Sequence, residues 1–479
     1  MSSVESSSGR KNETQATFLA FYIVAVTRTL HYASSFLLLF FLAPEDFGVM
    51  AVAMSFVAIM NSLSNFGVDS ALISYHGDEN HLLNDAWTLE VIKGVILSLL
   101  LFLASPLVAE WLGRPILSDI LRFLSFAFIL QSGKNIGLVS ERKRFNFRVL
   151  FKCELAMAAT SLVTTVTIAI LHESPWAIAL GYISGWLIFF LLSYFLCSFK
   201  PRLSFNIKNY RSLVGYSKWI LLSSQINTTI ENGINIFIGS HFGMSVLGQF
   251  ERADMFTRKT VLQVGEVVWK IGLPSLSARV SDTKNLKGYY LSLYRFICFI
   301  IFPLIIVVVV YLPSVVAMGQ DIDWVYLESL LQVLGVVSVL TMLIVPAGVL
   351  FQARRVPEVS FKISLIRLSG VVLTVFPLVH FFQFEGVAYS LLLSILIVFP
   401  ISLHHVRVLT GITLARHLRV AMEYILPCGV FALDIFTYSS IINVILEIFV
   451  LILAYLVCVI MISRHARNLL SSYFKTKLN

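Results

Sequence analysis

Apolar residues along this chain arrive in blocks of roughly twenty to thirty, separated by short polar stretches. A block of that length forms a helix able to cross a hydrocarbon layer about 30 Å thick. Fourteen such segments are expected, at approximately 16–42, 47–74, 85–109, 118–140, 149–171, 176–198, 214–240, 246–274, 288–317, 327–353, 359–381, 386–404, 418–436 and 440–463. The connections are too short to hold a soluble domain. The tail 1–15 is polar and Ser-rich, and the first apolar block is too long for a signal-peptide core, so no cleavage is expected. Several blocks carry a polar stripe at helical spacing. Arg28, His31 and Ser35 share one face of the first, and Asn61, Asn65 and Asp69 share one face of the second. Gln225, Thr228, Asn232 and Asn235 line the seventh, with Glu231 beside them. Single Asn and Gln residues in such helices usually bond to a neighbouring helix. Their clustering on the segments that open each half predicts helices with one face on a polar seam.

Composition supports the same class. Mean hydropathy is +0.84, 57% of residues are hydrophobic and 13% are charged, about half the charged share of an average soluble domain. The net charge of +9 is no nucleic-acid signal, because it follows the loops. Of 36 Lys and Arg residues, 24 fall in one alternating set of loops, segment edges and tails, whereas Arg114 stands alone in the other set. This asymmetry places both termini in the cytoplasm. The acidic loop from His76 to Asn84 is cytoplasmic by parity. The five cysteines are scattered in or beside apolar segments without a CxxC pair, which suits packing better than a disulfide or metal framework.

An internal repeat crosses the chain. Residues 47–56, FGVMAVAMSF, and 247–256, LGQFERADMF, open the second and eighth segments, and Gly48, Ala53 and Phe56 match Gly248, Ala253 and Phe256 at an offset of 200. Six segments separate the copies, so both run the same way across the bilayer, and parallel repeats of this kind place a substrate site between two lobes. The expected organisation is all-α: about fourteen transmembrane helices in two six-helix lobes, 16–213 and 214–417, followed by two additional spans and a cytoplasmic tail, 418–479.

Eleven cations lie inside the apolar segments: Arg28, Lys93, Arg122, Lys134, Lys218, Arg252, Arg258, Lys259, Lys270, Arg295 and Arg367. An ionised side chain at the bilayer centre costs about 2.5–3.5 kcal/mol on insertion scales, so it normally faces a wet cavity or a partner. Lys218, Lys270 and Arg295 lie where they can snorkel to the cytoplasmic surface. Glu90 and Lys93, three apart, and Asp254 and Arg258, four apart, are expected to pair. Arg252 and Lys259, seven apart, have no obvious helical partner for both charges. With Arg28, Lys134 and Arg367, they are the candidate cations for an anionic ligand. His31, Asn61, Asn65, Gln225, Thr228 and Asn232 are the candidate polar lining. Asp69, Glu231 and Asp254 are candidates for coupling to H⁺ or Na⁺, and no other cofactor or metal is expected. Asp321-Ile322-Asp323 matches a bare DxD, but in a short outward loop without a nucleotide-binding domain it is attributed to chance. No P-loop is present, so ATP does not drive this chain directly. Pro303, Pro346 and Pro377 make the second half the more deformable one.

Fourteen segments, the block Leu42-Ala43-Pro44-Glu45-Asp46-Phe47-Gly48 and the stretch Asn65-Phe66-Gly67-Val68-Asp69-Ser70-Ala71-Leu72-Ile73 together resemble polysaccharide-transport flippases. These belong to the multidrug/oligosaccharidyl-lipid/polysaccharide exporter superfamily. Leu247-Gly248-Gln249-Phe250-Glu251-Arg252-Ala253 is similar to that family's LGxYxxA motif, with Phe250 where tyrosine is usual. The architecture covers nearly the whole chain, and the motifs cover mainly the first, second and eighth segments. The resemblance implies a bacterial inner-membrane protein, not an enzyme. It would move a polyprenyl-diphosphate-linked oligosaccharide outward by alternating access during exopolysaccharide, capsule or O-antigen synthesis. Polymerase and chain-length proteins of the assembly system would be its partners. A diphosphate suits interior Arg and Lys. A small-molecule exporter of the same superfamily and a membrane-embedded glycan polymerase are the alternatives.

Overall fold

In hydrocarbon each backbone N–H and C=O must be satisfied within the protein, so an apolar block of this length closes into a helix. The computed structural model describes residues 40–63, 79–143, 146–204, 218–277, 279–280, 282–317, 327–428 and 450–459, with Thr27, Leu30, Ser34, Leu37 and Leu38 before them. The regular elements are α1 (Pro44–Leu63), α2 (Glu79–Trp111), α3 (Ile116–Gly133), α4 (Gly137–Lys143), α5 (Phe147–His172), α6 (Trp176–Leu196), α7 (Lys218–His241) and α8 (Met244–Asp254). A π-turn (Met255–Lys259) joins α8 to α9 (Thr260–Ser277). Then come α10 (Thr283–Ala317), α11 (Leu327–Ala353), α12 (Pro357–Phe382), α13 (Glu385–Thr410) and α14 (Leu414–Ile425), and the short apolar α15 (Val450–Val459). Each expected segment from the second to the twelfth has its helix. Most of the first, and much of the last two, lie outside the described residues. Eight helices among the described residues are long and apolar enough to cross a membrane. This is an all-helical, multi-pass membrane protein.

One boundary is corrected. The fourth segment was expected to run through residue 140, but α3 stops at Gly133 and Lys134 turns away with φ −52° and ψ 151°. Asn135 builds the break. Its backbone N–H donates to Ser193 Oγ at 3.0 Å, its side-chain amide donates to the Phe199 carbonyl at 2.7 Å, and its Oδ1 accepts the Gly137 N–H at 2.9 Å. A buried Asn competes with the helix for backbone partners, and here the side chain wins.

Two compact units divide the chain, Met1–Gly248 and Gln249–Asn479. In the first, α2 packs against α3 and α5 against α6, α3 packs on α6, and α1 lies on both α3 and α7. Small residues bring these helices close: a Cβ at Gly181 would fall 1.8 Å from Thr165 Oγ1. In the second, α12 pairs with α13, α11 touches α9, α10 and α13, and α14 docks on α10. Its core gathers Tyr290, Ile297, Ile301, Leu350 and Phe351, all buried. The division falls after α7, whereas the lobes expected from the sequence divide at 213/214. The helix expected to open the second lobe packs in the first unit. The cysteines are free, with Cys153, Cys197, Cys298 and Cys428 buried in packing positions.

Candidate functional site

The most charged stretch of the spans is folded around the π-turn. Regular helical spacing brings Arg258 back to Asp254, and the pair is bidentate, Nε to Oδ1 at 2.6 Å and Nη2 to Oδ2 at 2.8 Å. The two side chains are 2% and 0% exposed, so each depends on the other for solvation. Lys259 corrects the expectation drawn from the sequence. It does not lack a partner: its Nζ lies 2.6 Å from Glu251 Oε2 and 4.0 Å from Asp254 Oδ2. At about 100° per residue, eight positions of regular helix would turn Lys259 about 80° away from Glu251. The extra residue of a π-turn reduces that to about 20°. Thr257 and Thr260 satisfy carbonyls across the widened turn, donating to Ala253 at 2.6 Å and Met255 at 2.7 Å. No residue pattern in the sequence announces such a turn.

Two more cations join the group. Arg252 is buried in α8, with Nη1 3.7 Å from Met255 Sδ and Glu251 as an attracting carboxylate. Arg367, buried in α12, is close enough to Asp254 for their charges to interact. Arg252, Arg258, Lys259 and Arg367 thus surround the carboxylates Glu251 and Asp254, all within the second unit. Lys259 is 44% exposed at its side chain, which opens the cluster on one side. Asp254, a candidate for ion coupling, is engaged by Arg258.

The first unit carries a polar ladder instead. On α1, Ser62 Oγ donates to Gln225 Oε1 of α7 at 2.7 Å, and Gln225 Nε2 donates to Thr229 Oγ1 at 3.4 Å. From the adjacent residue, Asn61 Nδ2 donates to Gln131 Oε1 of α3 at 3.2 Å, and Gln131 Nε2 donates to Tyr182 Oη of α6 at 2.8 Å. Asn235 Nδ2 reaches Ser55 at 3.2 Å, tying α7 to α1 again. Asn232 bonds its own helix, at Thr228 O (2.8 Å). Glu231 is half-buried on α7. Lys134 is half-buried just past α3 rather than within a helix. Gln131 and Tyr182 complete the ladder. The isolated Tyr182 gave no periodic signal, and only the α3–α6 packing brings it in. Arg28, His31, Asn65, Asp69, Asp321 and Asp323 lie outside the described residues.

Of the other interior cations, Lys93 pairs with Glu90 as expected. Arg122 proves exposed, beside Asp119 at 3.9 Å and over the Phe102 ring at 5.7 Å. Arg114, in the loop between α2 and α3, meets Glu45 at 2.5 Å.

The repeat has a structural counterpart. A Cβ on Gly48 would fall 1.8 Å from the Met244 carbonyl oxygen, and one on Gly248 would fall 1.6 Å from that of Pro44. Both pairs exchange under the 200-residue offset, so α1 and the start of α8 meet through a contact that maps onto itself. All four residues lie in the first unit.

The described helices thus form a multi-pass bundle with charge and amides held inside its spans. The chain superimposes on the lipid II flippase MurJ, in an inward closed conformation, with TM-score 0.69 at 13% identity over 95% of this chain and 100% of that one. It also matches an inward-facing multidrug resistance MATE family transporter of the MOP superfamily, with TM-score 0.64 at 15% identity over 80% and 95%. These likenesses establish the fold. The chain belongs to the polysaccharide biosynthesis protein family, whose profile matches residues 37–325. It is 23% identical over 332 residues to the lipopolysaccharide biosynthesis protein WzxC of Escherichia coli (strain K12), covering 67% of this chain and 66% of WzxC. It is 21% identical over 301 residues to the teichuronic acid biosynthesis protein TuaB of Bacillus subtilis (strain 168), 62% of each. The succinoglycan biosynthesis transport protein ExoT of Rhizobium meliloti (strain 1021) is 22% identical over 244 residues, 51% of this chain and 49% of ExoT. In each case the chain spans slightly under two thirds of the relative's length or less.

Proposed function

We propose that this protein is a flippase that moves a polyprenyl-diphosphate-linked oligosaccharide from the cytoplasmic to the outer leaflet of a bacterial inner membrane. Four cations gathered around two carboxylates at the π-turn carry this reading. A diphosphate or an acidic sugar is the ligand such a site can exchange for its own carboxylates. Arg252, Lys259 and Arg367 are the contacts assigned to it. The amide ladder provides hydrogen bonds for the glycan, and the polyprenyl tail stays in lipid.

Three relatives named for the synthesis of three different polysaccharides, one of them a transport protein, support this cargo class. The loop charges support cytoplasmic termini. Coupling to H⁺ or Na⁺ through Asp69, Glu231 or Asp254 and cooperation with polymerase and chain-length proteins complete the proposal, which involves no catalysis. Interior cations disfavour export of cationic drugs. The short outward connections at 112–115, 173–175 and 242–243 leave little room for a polymerase site. The test is the leaflet on which lipid-linked glycan accumulates when the gene is deleted. Accumulation on the cytoplasmic side is expected, and accumulation on the outer side would assign the protein to polymerisation.

A further inference from the structure

The polar ladder has a direction. Each amide oxygen in it accepts and each amide nitrogen donates, so donation runs from Asn61 through Gln131 to the Tyr182 hydroxyl oxygen. A phenol that accepts a hydrogen bond still has its own hydrogen to place. Among the described residues none takes the Tyr182 hydrogen. The Gln131 amide has a second N–H beside it, and its one donated bond goes to Tyr182. Two donors thus stand side by side, their heavy atoms 2.8 Å apart. The Tyr182 ring is steadied edge-on by Trp186, with centroids 6.5 Å apart. Asn61, Ser62, Gln131, Tyr182 and Gln225 are all only partly buried. Hydrocarbon cannot solvate such a chain of amides and hydroxyls, so its open side faces a polar space.

We propose that Gln131 and Tyr182 form a sugar subsite, donating two adjacent hydrogen bonds to a pair of neighbouring oxygens on the cargo glycan, either vicinal hydroxyls or a uronate carboxylate. Asn61 is a positioning residue, because its bond to Oε1 fixes which end of the Gln131 amide meets Tyr182. The inference rests on the flippase reading and adds to it where the sugar, as opposed to the diphosphate, is felt.

The protein in proteoliposomes tests it against two lipids: sugar-free polyprenyl diphosphate, and the lipid-linked glycan extracted from a strain lacking the gene. Tyr182→Phe removes only the hydroxyl. It should raise the half-saturating concentration of the glycan lipid about fivefold to tenfold, the effect of one lost hydrogen bond, and leave the sugar-free lipid unchanged. Gln131→Glu, which replaces the free N–H with an acceptor, should give the same selective loss and serves if Tyr182→Phe does not fold. Equal losses for both lipids would make the hydroxyl a structural strut, and no change for either would remove it from the path. Both results overturn the subsite while the flippase reading stands. Wild-type protein that moves neither lipid overturns both.

Discussion

Asp254 and Arg258 solvate one another where neither water nor lipid can. Removing one partner takes the bidentate bond from a buried charge, so Asp254→Asn or Arg258→Met should each destabilise the protein by up to about 3–5 kcal/mol. The double replacement Asp254→Leu/Arg258→Met should recover most of that, because an apolar pair of similar volume has no ion to desolvate. Thermal unfolding in detergent reads the difference, and single variants as stable as the parent would mean the pair is hydrated. The Lys259–Glu251 pair has one half-exposed partner. Glu251→Gln should therefore shift stability far less than either change at the buried pair.

Helix contacts add constraints that single residues do not show. The Gly48 and Gly248 contacts are reciprocal, so an added methyl at either must push the same two backbones apart. Gly48→Ala and Gly248→Ala should each cost about 1–3 kcal/mol by overpacking. The double variant should cost clearly less than the sum, because the first separation makes room for the second methyl. Additive losses would mean that the two contacts yield independently. Helix α14 docks on α10 through buried His417, one residue before the thirteenth expected segment. Its Nδ1–H donates to Thr413 O at 3.0 Å, and Nε2 lies 3.1 Å from the Tyr290 hydroxyl. The Tyr294 ring stands edge-on to it at 5.0 Å. Arg416 and Arg419 on the same helix are exposed. Burial lowers the His417 pKa below the usual 6.5. The neutral form therefore belongs to the folded state, and the unfolded chain binds the extra proton. Stability from this group is present above the unfolded value and declines as pH falls through it. Unfolding between pH 7.5 and 5.5 should show that loss, and His417→Asn should flatten it.

At the scale of the whole molecule, much was legible in the chain alone. The helical segments rest on block length, and the expected orientation on loop charge. These are local properties, because a spanning helix satisfies its own backbone and Lys and Arg resist translocation. Helices stand at the second to twelfth predicted places for that reason. Asp254–Arg258 and Glu90–Lys93 were legible too, since each pair lies within one or two turns of one helix. The repeat was readable as three matched residues at one offset, and the backbone contact gives the Gly48/Gly248 match a steric reason. Lys259 was misjudged because a π-turn shifts the phase of everything beyond it, and no residue type encodes that shift. Lys134 left its helix because Asn135 found partners on residues 193 and 199, far along the chain.

The chain by itself thus determined a multi-pass helical protein with cations within its spans. The tertiary structure alone decided that Gln131 meets Tyr182 and that Arg367 approaches Asp254. It also decided that α7 packs with α1 in the first unit. The reason is geometric: periodicity says which face of a helix is polar, but only packing between distant segments says what that face meets.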